Sequence, residues 1–305
     1  MPPETDTRTF YLAAQNVLQH LYPEATDLDY LNTGNNSVVF QFKANGKARV
    51  VKLSERNVFN FEKYRLSTFA HDNLPLPQPA QQGQVGPYFY FIQDMCPGYK
   101  PDYAQVSEWF PDLVKHLLTL HRTAMPLTQP ATVHRTDINW AQFLSNHLGF
   151  QKKIYLRYQQ SPQFDAQLHN ILVKHLIESL PFCQVPLFQI HGDLHIGNLK
   201  VTGQNLTGIL DFSSYCYGDF LFDYSWALLY SPPEVVFKHI DMLYYHASEA
   251  GFPLEHFVER LGACLIKVGM IQMAHKAVIK QDWEGFNLLK HNLRTLFNAP
   301  QRWQK

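Results

Sequence analysis

Phe10, Ala13, Ala14, Val17, Leu18 and Leu21 recur three and four residues apart, and the repeat stops at Pro23. That spacing predicts an amphipathic helix near the N-terminus. The period then shortens. "SVVFQFKA" and "KARVVKL" are β-rich runs on either side of Asn45-Gly46, a pair of residues that tolerates the positive φ a tight hairpin needs. "FNFEKYRLSTFAH" returns to helical spacing, with Phe61, Tyr64, Leu66 and Phe69 as its apolar face, and the proline-studded "DNLPLPQPA" ends it. "PYFYFIQDM" supplies a further strand. From Phe110 onward helical patterns dominate. "PDLVKHLLTLHRTAM" opens on Pro111, read as a first-turn proline whose missing donor costs nothing. "SPQFDAQLHNILVKHLIESLP" is the clearest helix, with Ser161 as its cap and Pro162 as its first residue; Phe164, Leu168, Ile171, Leu172, Leu176 and Leu180 form the buried face. Short apolar runs, "PLFQI" and "LTGIL", then interrupt the helices, which resume after about Asp223. The expected fold class is α+β: a small antiparallel β lobe (residues 1–94), a hinge near residues 93–98, and a larger, mainly helical lobe (residues 95–305).

Composition narrows the function. A chain of 305 residues exceeds one ordinary core, which agrees with two lobes. Basic and acidic side chains balance at 26 each, which gives no electrostatic ground for binding nucleic acid or an anionic membrane. The four cysteines are scattered without a CxxC pair, and "MPPETDTRTF" is not a secretory signal. No apolar run approaches the roughly 20 residues of a bilayer span. The expectation is a cytoplasmic protein with neither nucleic acid nor membrane as partner.

The chemistry concentrates in "HGDLHIGNLKVTGQNLTGILDFS". Asp193 and Asn198 stand in the pattern His-x-Asp-x-x-x-x-Asn, and Asp211 follows 18 residues after Asp193. Phosphoryl transfer from a nucleotide needs such a set: one carboxylate to orient an attacking hydroxyl, and an amide oxygen with a second carboxylate to hold magnesium. The phosphates also need a cation. Lys52 lies in the second hairpin strand and Glu62 ten residues on, in the next helix, where it can pair with the lysine; Glu55 is a rival partner in the intervening loop. Gly34 to Ser37, in "LNTGNNSVVF", is a turn whose backbone amides can cover phosphates, and no GxxxxGK[ST] P-loop is present. His191 and His195 are four apart, a metal-ligand spacing on a helix, but Gly192 and the preceding strand argue against a helix. His121, in "LTLHRT", reads as a packed helix histidine.

"TGNNSVVFQF", "VVKL", Glu62, "LPLPQP", "FIQDMCPG", "LHRT", "HGDLHIGN" and "GILDFSSYCYGDFLFDYSWAL" occur in that order across residues 32 to about 229. In these the chain resembles the aminoglycoside phosphotransferase and choline kinase superfamily, which has a protein-kinase-like fold. The resemblance implies ATP and Mg2+. It implies Asp193 as catalytic base, Asn198 and Asp211 as metal ligands, and Lys52 paired with Glu62 at the nucleotide. Ser37 would cover the phosphates, and Gln93, Asp94 and Met95 would form the hinge whose backbone meets the adenine. Asp219 and Asp223 resemble the family's second acidic pair; the structural reading has Asp223 capping the following helix and bracing the catalytic loop.

The acceptor is a small-molecule hydroxyl. From Phe212 to Glu259 there are seven acidic residues against one lysine, a balance suited to an aminoglycoside, choline or another amine, unless these are solvated helix faces. Trp140, Tyr215, Tyr217 and Trp226 are candidates for holding such an amine by cation–π contact, although Trp226 also fits a core position. The alternatives are a catalytically weak nucleotide-binding regulatory protein of the same fold, and a protein kinase. Against the latter, "GDFLFD" arrives within eight residues of Asp211, with no APE-ended segment.

Overall fold

The computed structural model describes residues 4–34, 37–69, 73–122, 139–146 and 152–298. The chain divides into two compact units, Met1–Tyr99 with Thr207–Ser213, and Lys100–Leu206 with Ser214–Lys305.

In the first unit helix α1 (Glu4–Leu21) precedes strands β1 (Thr26–Thr33), β2 (Val38–Ala44) and β3 (Lys47–Ser54). Helix α2 (Phe59–Phe69) and strands β4 (Pro79–Val85) and β5 (Tyr88–Asp94) follow. The strands form an antiparallel sheet in the order β1-β2-β3-β5-β4. The β2–β3 turn is the Asn45-Gly46 hairpin, with φ of 52° and 72° at the two residues. Strand alternation separates two faces. Phe40, Phe42, Val51, Leu53 and Ile92 pack against Ala14, Val17 and Leu18 of α1 to make the core. Lys52, whose partner in β5 is Phe91, and Gln93, whose partner in β3 is Val50, face the other way. On that side Phe59 of α2 stacks on Phe91 at 6.0 Å. Phe59, Glu62 and Leu66 are the buried α2 positions, while the side chains of Phe61, Tyr64 and Phe69 lie outside the described residues.

The expected boundary was between residues 94 and 95; the division into units falls after Tyr99, and Thr207–Ser213 groups with the β unit. Two hydrogen bonds fasten it, Ile209 N to Pro75 O at 2.8 Å and Thr207 Oγ1 to Pro97 O at 2.7 Å.

The second unit contains α3 (Val106–Arg122), α4 (Trp140–Ser145), α5 (Lys152–Gln159) and α6 (Ala166–Ser179). The short strands β6 (Phe188–Ile190), β7 (Leu199–Thr202), β8 (Asn205–Ile209) and β9 (Cys216–Gly218) come next, with residues 207–209 of β8 counted in the first unit. Helices α7 (Leu221–Leu229), α8 (Pro233–Glu249), α9 (Phe257–His275) and α10 (Trp283–Phe297) complete it. Every residue of α7 is buried, and α9 is buried around most of its circumference. Together with the π turn after it, α9 is long and apolar enough to cross a membrane, but 67% of that window is buried inside the protein. It is a core helix.

Two helix starts differ from the sequence reading. Pro111 is inside α3 rather than in its first turn, because Val106, Trp109 and Phe110 extend the buried face backwards. Helix α6 begins at Ala166 with Asp165 as N-cap, its carboxylate accepting from Leu168 N at 3.0 Å. Ser161 serves the preceding helix instead, donating to Tyr158 O at 2.7 Å. Asp165 prevails because Lys290 (2.9 Å) and Arg294 (2.5 Å) of α10 also bind it.

Candidate active site

In the β unit, alternation turns Lys52 towards α2, and Glu62 falls on the buried side of that helix. The two meet with Nζ 2.5 Å from Oε1, their side chains 12% and 7% exposed. The rival partner, Glu55, is exposed. Breaking such a partly buried pair strands a charge, which costs about 3–5 kcal/mol.

The expected hinge residues are largely engaged in their own sheet. Asp94 N donates to Gln78 O (2.9 Å) and Met95 N to Ala48 O (3.0 Å). The Asp94 carboxylate is 3.5 Å from Arg49 Nε, and Gln93 is buried with its Oε1 unpartnered. At the upstream turn Gly34 N donates to Ser37 O at 2.8 Å, while Asn35 and Asn36 lie outside the described residues. Asp211 also belongs to this unit. Its φ is +62°, a left-handed conformation that aspartate tolerates better than most residues, and its Oδ1 accepts from Ser213 N at 3.2 Å.

In the helical unit the β6–β9 pairing, Ile190 opposite Cys216, delivers the chain to His191. The loop that follows is held from below by Asp223 of α7. Its Oδ2 accepts from His191 N (2.7 Å) and its Oδ1 from Gly192 N (2.9 Å). His121 of α3 bonds the same Oδ2 through Nε2 at 3.0 Å, both side chains being fully enclosed. Gly192 has φ of +82°, and a Cβ there would lie 2.4 Å from Ser214 O, so only glycine fits. Asn198 Nδ2 donates to Asp193 O at 2.8 Å. That bond pins the loop from Asp193 to Asn198 and commits the NH2 end of the amide, leaving the oxygen as the donor atom available to a cation.

The bracing half of the expectation for Asp223 corresponds to this geometry; the capping half does not. Asp219 meets the start of α7, accepting from Leu221 N at 3.1 Å. Asp219 also forms a fork with Arg260 of α9, Nε–Oδ2 2.7 Å and Nη2–Oδ1 2.9 Å, with both side chains enclosed. Neither His121–Asp223 nor Asp219–Arg260 was foreseen, since partners 102 and 41 residues apart leave no local signal.

The acidic segment dissolves on inspection. Of its seven acids, Asp219 and Asp223 are buried and engaged, and Glu234, Asp241, Glu249, Glu255 and Glu259 are exposed along α8 and the start of α9. The aromatic candidates are mostly core. Trp140 stacks on Phe143 at 4.9 Å, the Tyr215 hydroxyl donates to Gln189 Oε1, and Trp226 is 3% exposed; Tyr217 is half-buried. His191 and His195 each accept a backbone amide through Nδ1, from Asp193 (3.3 Å) and Gly197 (3.0 Å). No metal-binding group of three or more histidine, cysteine or acidic residues occurs among the described residues.

Three comparisons bear on this arrangement. No curated protein matches the chain. Among solved structures, a thermostable mutant of aminoglycoside phosphotransferase APH(4)-Ia, in ternary complex with AMP-PNP and hygromycin B, superposes with a TM-score of 0.72 at 14% identity, covering 94% of this chain and 98% of that one. The GDP complex of an aminoglycoside 2'-phosphotransferase-IIIa mutant gives a TM-score of 0.66 at 17% identity, over 95% and 99% of the two chains. ADP-bound APH(2'')-Ib gives 0.59 at 17% identity, over 93% and 98%. These likenesses establish the kinase-like α+β fold. The model of the phosphotransferase enzyme family matches residues 30–252, and the chain belongs to that family.

Proposed function

We propose that this protein transfers the γ-phosphoryl group of ATP, with Mg2+, to a hydroxyl of a small molecule. The observation that carries the reading is the Lys52–Glu62 pair at 2.5 Å, because a phosphate site requires a fixed cation and the catalytic motif contains none. In this reading Glu62 holds the ammonium on the phosphates, and Ser37 lies at the turn that covers them. The segment Gln93–Met95 meets the base through side chains and carbonyls, since the Asp94 and Met95 amides are engaged.

The residues present suit magnesium. Asp211 offers a carboxylate and Asn198 an amide oxygen, both hard donors, and a nucleotide supplies the rest of a magnesium shell. Once bound, the metal neutralises charge developing on the phosphates. Asp193 orients the acceptor hydroxyl and takes its proton as the oxygen attacks. Asp223 and His121 keep the Asp193 loop in place, so little reorganisation is needed at the moment of transfer. A reducing cytoplasm suits four cysteines that are all buried.

The test is Asp193→Asn. We expect turnover to fall by at least about a thousandfold while nucleotide affinity stays within a few-fold, since the lost group acts only on the acceptor. A variant with near wild-type kcat overturns the role. A regulatory protein without turnover would bind nucleotide equally in both forms and consume none in either.

A further inference from the structure

An open cleft of about 470 Å³ lies in the helical unit, between residues 162–166, which lead into α6, and one face of α10. Trp283, Phe286, Asn287 and Lys290 recur at helical spacing along that face, so all four turn the same way. None of these residues belongs to the proposed phosphate or metal site. The floor of the cleft is aromatic and fixed. Tyr158 is buried, and the rings of Phe164 and Phe286 pack edge-on against it, with centroids 5.3 Å and 6.0 Å away. Trp283 meets Phe286 edge-on at 6.3 Å and stays 43% exposed. An indole left open beside a rigid aromatic floor offers a flat apolar surface that a ring can cover. A concave site of this size, apolar with a few polar groups at its edge, is the usual form of a small-molecule pocket.

Charge enters further along the same face. Lys290 stands one helical turn beyond Phe286 and two beyond Trp283, about 6 and 10 Å along the axis. Asp165 is the other charged residue that lines the cleft, and it is fully engaged. Its Oδ1 accepts from Leu168 N at 3.0 Å, and its Oδ2 meets both Lys290 Nζ (2.9 Å) and Arg294 Nη2 (2.5 Å). Two cations on one carboxylate leave a positive charge in excess. The Lys290 ammonium has three donors and gives one to Asp165, so two remain for a ligand. Its side chain is 30% exposed, within reach of a ligand and only partly screened by water.

We propose that this cleft binds an aromatic acid, its ring covered by Trp283 and Phe286 and its carboxylate on the Lys290 ammonium. An amine of the same skeleton would bring a further cation to Lys290 and Arg294, whose shared acceptor, Asp165, is already taken. An alcohol would keep the ring contact and lose the ion pair. An acid without a ring would keep the ion pair and leave the indole in water.

The experiment is calorimetric titration of the full chain, without nucleotide, with phenylpropionate, phenylpropanol, phenylpropylamine and propionate. We expect phenylpropionate to bind saturably and at least about tenfold more tightly than each of the others, the margin of one charge-assisted contact or one covered ring. Raising the salt concentration should weaken it. Trp283→Ala and Lys290→Gln should each lower its affinity about tenfold, while Lys290→Arg, which keeps the charge, should retain most of it. Trp283 is exposed, and Arg294 still holds Asp165 in Lys290→Gln, so both variants should fold, which Tm checks. The proposal is overturned by an absence of saturable phenylpropionate binding, or by equal or tighter binding of any of the other three. Unchanged affinity in Trp283→Ala or Lys290→Gln, or equal loss in Lys290→Arg and Lys290→Gln, overturns it too. No nucleotide is present, so each of these results leaves the phosphotransferase reading as it was.

Discussion

Asp223 is a single carboxylate serving three donors: the amides of His191 and Gly192 and the ring of His121. A hydrogen bond to a buried charge contributes about 1.5–3 kcal/mol. His121→Phe should therefore destabilise the protein by about that amount in denaturant titration. The loop should also loosen, lowering kcat by about tenfold or more with nucleotide affinity unchanged. His121→Gln, which keeps a donor near the carboxylate, should recover part of the kcat; equal loss in both variants would show that packing alone is at stake. Gly192→Ala is expected to be worse, because the clash is with backbone at Ser214 and cannot be relieved by a rotamer.

Helix α6 depends on one residue for its beginning. Burial tends to raise the Asp165 carboxyl pKa, but the Leu168 amide, Lys290 and Arg294 outweigh it and hold the group below its ordinary value. A carboxyl with a lowered folded pKa contributes stability that is fully present above its unfolded value, near 4, and lost as pH falls through the folded value. Asp165→Asn keeps a capping side chain but loses the ion pairs to α10. At pH 7 it should cost about 1 kcal/mol, with the difference from wild type shrinking as pH falls through the folded value, read as Tm against pH. A gap that persists undiminished at low pH would place the contribution in shape rather than charge.

For the whole molecule, the Lys52–Glu62 pair and Asp211 predict how nucleotide binding should behave. Lys52→Ala and Glu62→Ala should each remove most of kcat/KM, and the double variant should cost far less than the sum, because the two act as one unit. Full additivity would show that the contact contributes nothing to catalysis. Ligand at 100 times its Kd stabilises a fold by about 2.7 kcal/mol, so Mg-ATP should raise Tm measurably. In Asp211→Ala the magnesium-dependent part of that shift should disappear, and its retention would remove Asp211 from the metal.

The division of labour between sequence and structure follows from the range of the interactions involved. Asn45-Gly46, the alternation through Lys52, the helical position of Glu62 and the spacing of Asp193, Asn198 and Asp211 were legible, because each is a statement about residues near one another in the chain. Two local signals misled: Pro111 and Ser161 are good helix openers in isolation, and burial of Val106 and the pull of Lys290 and Arg294 on Asp165 displaced them. Composition left two readings of the acids between Phe212 and Glu259, and the exposure of five of them agrees with solvated helix faces, while counting could not show that Asp219 is enclosed on Arg260. The sequence by itself determined the family, through motifs whose residues lie close together in the chain. Only the tertiary structure decided which partners satisfy Asp219 and Asp223, and that residues 207–213 group with the β unit. Those outcomes depend on side chains meeting across 40 to 100 residues of chain, where burial makes each unpaired charge too costly to leave alone.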